Sequence, residues 1–251
     1  MTDIVDTGIS GLNELLEGGY PKGSLILLVG NPGTGHSIIC QQFLYNALSQ
    51  GGSGIYFVTW CSSEDIKSNM SRFGWEVEEF EKSGNLTFID VFSSRIKWVL
   101  GETHKKTPSL SSVSRSWDTS ILNMLRLGVL ENDELASKGS HIGVIDSLSD
   151  ILWLHSLKEV KEVLEGIKAF VRIYKCVYLV SLEKGMHDES TLSTIEHVSD
   201  GIIELRVRER GNELERSICI TNMLHIVPSS KIVPYRITQK GIVLDTATRI
   251  V

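Results

Sequence analysis

A chain of 251 residues with 41% hydrophobic and 22% charged residues can bury a full core, as one large domain or two small ones. Its net charge of −6 argues against a generally basic nucleic-acid surface. No apolar run reaches membrane-spanning length, residues 1–4 lack signal-peptide features, and the four cysteines form no Cys-x-x-Cys pair, so a cytoplasmic chain with reduced core thiols is expected.

Apolar runs and helical patterns alternate along the chain. Residues 24–29 (SLILLV) are continuous, short and rich in branched side chains, which predicts a buried strand. A Gly-rich loop follows. Ile39, Cys40, Phe43, Leu44, Ala47 and Leu48 then recur at helical spacing, and Gly51-Gly52 closes that helix. Residues 55–60, 86–92 and 141–146 predict three further strands. Between the last two, residues 101–116 are rich in Ser, Thr and Lys without periodicity and predict a mobile loop. Leu157, Val160, Leu164, Ile167 and Val171 predict an amphipathic helix, and residues 176–182 a fifth strand. Strands alternating with helices imply right-handed crossovers and a mainly parallel sheet.

The C-terminal part differs. Residues 201–208 and 215–222 flank Gly211-Asn212, the signature of a hairpin turn. Residues 236–238 and 241–244 predict a second short pair around Gln239-Lys240. The expected fold is α/β, with a mainly parallel central sheet flanked by helices, a C-terminal antiparallel extension, and one domain spanning residues 1–251. Arg206, Arg208 and Arg210 alternate on the first hairpin strand, where a solvated face is expected.

The loop Gly30-Asn31-Pro32-Gly33-Thr34-Gly35-His36-Ser37 follows the phosphate-binding pattern G-x-x-x-x-G-K-[ST] at all positions but one. In that pattern backbone N–H groups cradle phosphates, Lys reaches the β/γ-phosphates and the Ser/Thr hydroxyl holds Mg²⁺. Gly33 and Gly35 supply the backbone freedom, and the N–H groups from Gly35 to Ile38 lie at a helix N-terminus, where the dipole favours anions. His36 takes the lysine's place. A histidine is shorter and only partly charged near neutral pH. Losing a charge-assisted contact of roughly 1.5–3 kcal/mol weakens a triphosphate by about one to two powers of ten. Asp146 ends an apolar strand, where a carboxylate can orient Mg²⁺ together with Ser37.

Residues 7–24 (TGISGLNELLEGGYPKGS) resemble the opening segment TGI-x-GLDELL-x-GG-x-P-x-GS of KaiC-like members of the RecA superfamily, with Asn13 in place of Asp. The resemblance continues through Phe73-Gly74-Trp75, Val144-Ile145-Asp146-Ser147-Leu148, Asp200-Gly201-Ile202-Ile203-Glu204-Leu205 and Pro234-Tyr235-Arg236-Ile237-Thr238, and is weakest over residues 93–140. It implies a RecA-like phosphate-loop fold that binds ATP or ADP with Mg²⁺.

The same resemblance exposes departures. Cys61 and Ser62 stand where the family carries two glutamates, one a general base, a loss of about 10²–10⁴ in rate. Glu64 and Asp65 follow on the next helix. Asn222-Met223-Leu224 replaces the K-x-R that reaches a neighbouring subunit's nucleotide, a contact of roughly 10³–10⁵ in related chemistry. The expectation is a degenerate KaiC-like protein that binds nucleotide weakly and hydrolyses it little or not at all. Its expected partners are itself, in a ring or smaller homo-oligomer, or an active paralogue. Two alternatives stand beside it. One is a working ATPase with Glu64 as base and Lys22 or Lys184 on the phosphates. The other is a DNA-binding recombination accessory using Arg206, Arg208, Arg210 and Lys105-Lys106.

Overall fold

The run SLILLVG becomes the central strand of a nine-stranded sheet, and each of its residues is buried. The computed structural model describes residues 3–99, 117–130, 136, 140–227 and 231–245. The elements begin with β1 (Ile4–Val5), α1 (Leu12–Leu15), β2 (Tyr20–Pro21), β3 (Ser24–Gly30), α2 (His36–Ser49) and β4 (Ser53–Val58). They continue with α3 (Ser63–Ser71), α4 (Glu78–Lys82), β5 (Leu86–Asp90), α5 (Val91–Val99), α6 (Trp117–Leu130) and β6 (His141–Asp146). Then follow α7 (Leu148–Leu154), α8 (Leu157–Tyr174), β7 (Val177–Glu183) and α9 (Glu189–Val198). The last strands are β8 (Gly201–Arg210), β9 (Glu213–Met223), β10 (Ile232–Thr238) and β11 (Gly241–Leu244).

The sheet order is β11-β10-β9-β8-β3-β7-β6-β4-β5. Pairing is parallel from β8 through β3, β7, β6 and β4 to β5, and antiparallel among β8, β9, β10 and β11. The molecule is therefore an α/β fold with a mainly parallel mixed sheet and C-terminal antiparallel strands. Alternation along β3 sends Ile26 and Leu28 to the layer of α2, with Phe43 and Leu44. Leu25, Leu27 and Val29 go to the opposite layer, with Val160, Leu164, Ile167 and Val171 of α8. Both faces of the strand are covered, so its sequence is continuously apolar rather than alternating.

The expected elements form with shifted ends, and polar side chains explain the shifts. The second expected strand stops at Val58 because Thr59 Oγ1 turns to the Ser147 carbonyl and to Asp150, leaving Trp60 49% exposed. The third stops at Asp90, whose carboxylate accepts from Ser93 N at 2.7 Å and so starts α5 in place of strand residues 91–92. The hairpin turns at Gly211-Asn212 as expected, but its strands run to Arg210 and from Glu213. The 101–116 segment, with Lys105 and Lys106, lies outside the described residues.

The Asp200-Gly201 motif has a structural reason. Asp200 is buried, accepts from Leu25 N at 3.1 Å, and pairs with Arg172 at 2.7 Å and Lys168 at 3.0 Å. It ties the start of β8 to β3 and to α8. A Cβ on Gly201 would meet Met223 Sδ at 2.6 Å.

Candidate phosphate-binding site

β3 ends at Gly30, and α2 begins six residues later at His36. Gly33 and Gly35 both have φ of +83°, left-handed backbone that glycine adopts freely. The turn is closed from within by Thr34, whose Oγ1 donates to the Asn31 carbonyl at 2.7 Å. Gly30 leaves room for that hydroxyl, because a Cβ there would lie 2.6 Å from Thr34 Oγ1. In the first turn of α2 the N–H groups have no carbonyl within the helix to bond, so they are free to face an anion.

A cavity of about 340 Å³ opens over this turn, lined by Pro32, Gly33, Gly35, His36, Ser37, Ile38, Trp60, Glu183 and Ile237. Of the loop candidates, Pro32, Gly33, Gly35, His36, Ser37 and Ile38 line the cavity, while Gly30, Asn31 and Thr34 shape the turn. His36 is buried against the wall, with Nδ1 3.4 Å from Thr34 Oγ1 and Nε2 3.9 Å from Glu183 Oε1.

The two candidate metal residues meet across 109 positions, with Ser37 Oγ donating to Asp146 Oδ1 at 3.2 Å. Asp146 is fully buried and also accepts from Ser181 Oγ at 2.7 Å and from Tyr56 OH at 2.7 Å. A hydroxyl beside a carboxylate fits Mg²⁺, a hard cation that keeps waters and takes phosphate oxygens alongside one or two carboxylates. Among the described residues no group of three His, Cys, Asp or Glu could hold a metal unaided. A cation here therefore depends on the ligand's phosphates.

The remaining candidates are engaged elsewhere. Cys61 is buried in the core, where burial, helped by the carboxylates of Asp146, Asp65 and Asp90, pushes its thiol up to about 12. At neutral pH it is a neutral thiol and no base. Ser62 caps α3 and exchanges hydrogen bonds with Asp65. Glu64 is exposed and pairs with Lys67, Lys22 pairs with Asp3, and Lys184 pairs with Glu204. Arg206 also pairs with Glu204, Arg210 with Glu215, and Arg208 is exposed, as a solvated strand face requires. Asn222 is exposed on β9.

Besides Trp60 on the cavity wall, four contributors lie outside the expected site residues. Tyr235 OH donates to the Thr34 carbonyl at 2.5 Å, Arg216 Nε donates to the Gly33 carbonyl at 2.9 Å, and Ile237 would touch a Cβ on Gly35 at 2.9 Å. These come from the C-terminal strands, far from the loop in sequence. Glu183 is the fourth. It pairs in register with Gly30 at the carboxyl end of β7, where an acidic residue after an apolar strand carries the same signal that marked Asp146.

The family model of the KaiC ATPase matches residues 5–249, nearly the whole chain. This chain belongs to the KaiC ATPase family. A UPF0273 protein of Aeropyrum pernix is 33% identical over an alignment covering 100% of this chain and 97% of that protein. One of Thermotoga maritima is 34% identical, covering 96% and 95%. The solved KaiC-like protein PH0186 of Pyrococcus horikoshii OT3 superposes with a TM-score of 0.75 at 27% identity, covering 97% of this chain and 99% of that one. KaiC family membership supports nucleotide binding in general, and it accounts for the parallel sheet with its antiparallel extension. Among the described residues no helix is long and apolar enough to cross a membrane.

Proposed function

We propose that this KaiC-family chain is a cytoplasmic, single-domain nucleotide-binding protein. It holds ATP or ADP with Mg²⁺ weakly, hydrolyses it little or not at all, and serves as a regulatory or assembly component. Bound nucleotide then stabilises the fold or an interface by mass action, without turnover. Its partners are further copies of itself or an active paralogue.

One observation carries this reading. The parts that hold an anion are kept: the glycine turn, the open first turn of α2, and Ser37 against Asp146. The parts that act on a γ-phosphate are not. His36 stands in the lysine position, while Cys61 and Ser62 are a core residue and a helix cap. Phosphoryl transfer is catalysed by positioning and electrostatic stabilisation, so a site without those groups retains affinity and loses rate.

The test pairs calorimetric titration of ATP and ADP with Mg²⁺ and single-turnover hydrolysis on the native chain. Micromolar-to-millimolar binding without measurable turnover is expected. Turnover at the rate of an intact relative, abolished by Asp146→Asn, refutes the reading.

A further inference from the structure

Tyr56 carries a hydroxyl in the middle of β4, where Ile55, Phe57 and Val58 around it are apolar and, like it, buried. A hydroxyl taken out of water is costly unless it is paired. This one donates to Asp146 Oδ2 at 2.7 Å, across 90 positions of sequence. A carboxylate only accepts, so the direction of the bond is fixed. The other carboxylate oxygen has different partners. Asp146 Oδ1 accepts from Ser181 Oγ at 2.7 Å and from Ser37 Oγ at 3.2 Å. The register of the sheet explains this division, because β6 lies between β4 and β7. Tyr56 pairs with Val144, two residues before Asp146, and Val180 pairs with Ile145, one residue before it. The carboxylate is thus gripped from both neighbouring strands, with Oδ1 turned to Ser37 at the start of α2.

A carboxylate held by one oxygen can still swing about its terminal torsion, which is broad and has little preference of its own. A bond on the second oxygen stops that rotation. Mg²⁺ demands near-ideal octahedral geometry, so a misdirected carboxylate costs the metal more than it costs backbone contacts to phosphate. We infer that Tyr56 is a positioning residue for the metal. Through Oδ2 it keeps Asp146 Oδ1 turned to the side of Ser37, where the carboxylate can hold Mg²⁺ directly or through a bound water. The inference rests on the nucleotide-binding reading above and names a residue on which the Mg²⁺ dependence of that site turns. A phenylalanine ring fills the same place in the core, so packing alone does not call for the hydroxyl.

The experiment is calorimetric titration of ADP into the full chain and into Tyr56→Phe, each in Mg²⁺ and in EDTA, with thermal melts on the same preparations. In the native chain Mg²⁺ raises ADP affinity at least about tenfold, and in Tyr56→Phe less than about threefold, while the affinities in EDTA agree within about twofold. A hydroxyl that only supports the fold lowers both affinities together and leaves their ratio alone, and an unchanged ratio overturns the inference. So does a Tyr56→Phe chain that fails to fold, because the hydroxyl then serves the fold and not the metal. ADP binding that is indifferent to Mg²⁺ in the native chain overturns this inference and leaves nucleotide binding standing. Binding of neither ADP nor ATP, to the native chain or to His36→Lys, overturns the nucleotide reading and this inference with it.

Discussion

Tyr235 donates its hydroxyl to the Thr34 carbonyl at 2.5 Å, across 201 positions of sequence. With Arg216 on the Gly33 carbonyl, it fixes the turn from outside while Thr34 fixes it from within. The aim of the loop's N–H groups is thus set by the C-terminal sheet.

Tyr235→Phe keeps the ring and removes the donor. A net hydrogen bond contributes about 0.5–1.5 kcal/mol, so the melting temperature falls by only about 2–5 °C. Nucleotide affinity falls about three- to tenfold, because a loop that must be ordered on binding binds less tightly. Thermal melts and calorimetry on one preparation check both, and unchanged affinity contradicts the clamp.

His36→Lys restores the lysine of the phosphate-loop pattern. ATP affinity rises about ten- to a hundredfold, the worth of one charge-assisted contact. Single-turnover hydrolysis stays at background, because Cys61 and Ser62 are unchanged. Turnover appearing in this variant alone would make His36 the sole block.

Asp146→Ala is a poor probe of metal binding. It strands the Tyr56 hydroxyl and the Ser181 hydroxyl without their acceptor in a fully buried place. A loss of about 2–4 kcal/mol in urea unfolding is expected. Asp146→Asn keeps an acceptor and costs less, about 1–2 kcal/mol, while the Mg²⁺ enhancement of nucleotide affinity disappears. Equal stability of the two variants would show that these contacts do not hold the fold.

His141 sets an acid limit on stability. It is buried, contacts Ser53 Oγ at 3.0 Å and Tyr178 OH at 3.2 Å, and burial lowers its pKa to about 4. The unfolded histidine titrates near 6.5, so between these values the unfolded chain binds a proton that the fold refuses. The contribution is full above about pH 6.5 and falls away as pH drops toward 4, by about 3 kcal/mol. Urea unfolding at several pH values follows this slope, and His141→Gln flattens it. An unchanged slope assigns the acid sensitivity elsewhere.

What the sequence made legible follows the range of the interactions. β3, β6 and α8 depend on local periodicity and appear within a residue or a few of their expected bounds. The Gly211-Asn212 turn carries its own dihedral requirement and fixes the hairpin. The ends of β4 and β5 fall short of the expected bounds because side chains decide them, Thr59 by bonding to Ser147 and Asp150 and Asp90 by accepting from Ser63 N and Ser93 N. Ser37 and Asp146 could be paired because both motifs lie at the carboxyl edge of the sheet. Arg216, Tyr235 and Ile237 could not, since nothing near residues 30–37 tells which side chains of a distant strand will reach them.

The clamp also has a meaning in time. Synthesis from the N-terminus at about 5–20 residues per second puts about 10–40 s between Thr34 and the Tyr235 that lies 201 positions later. For most of that interval a nascent chain already carries the phosphate loop but neither Arg216 nor Tyr235, which clamp it from outside. The anion cradle leaves the ribosome well before the strands that give it its working shape.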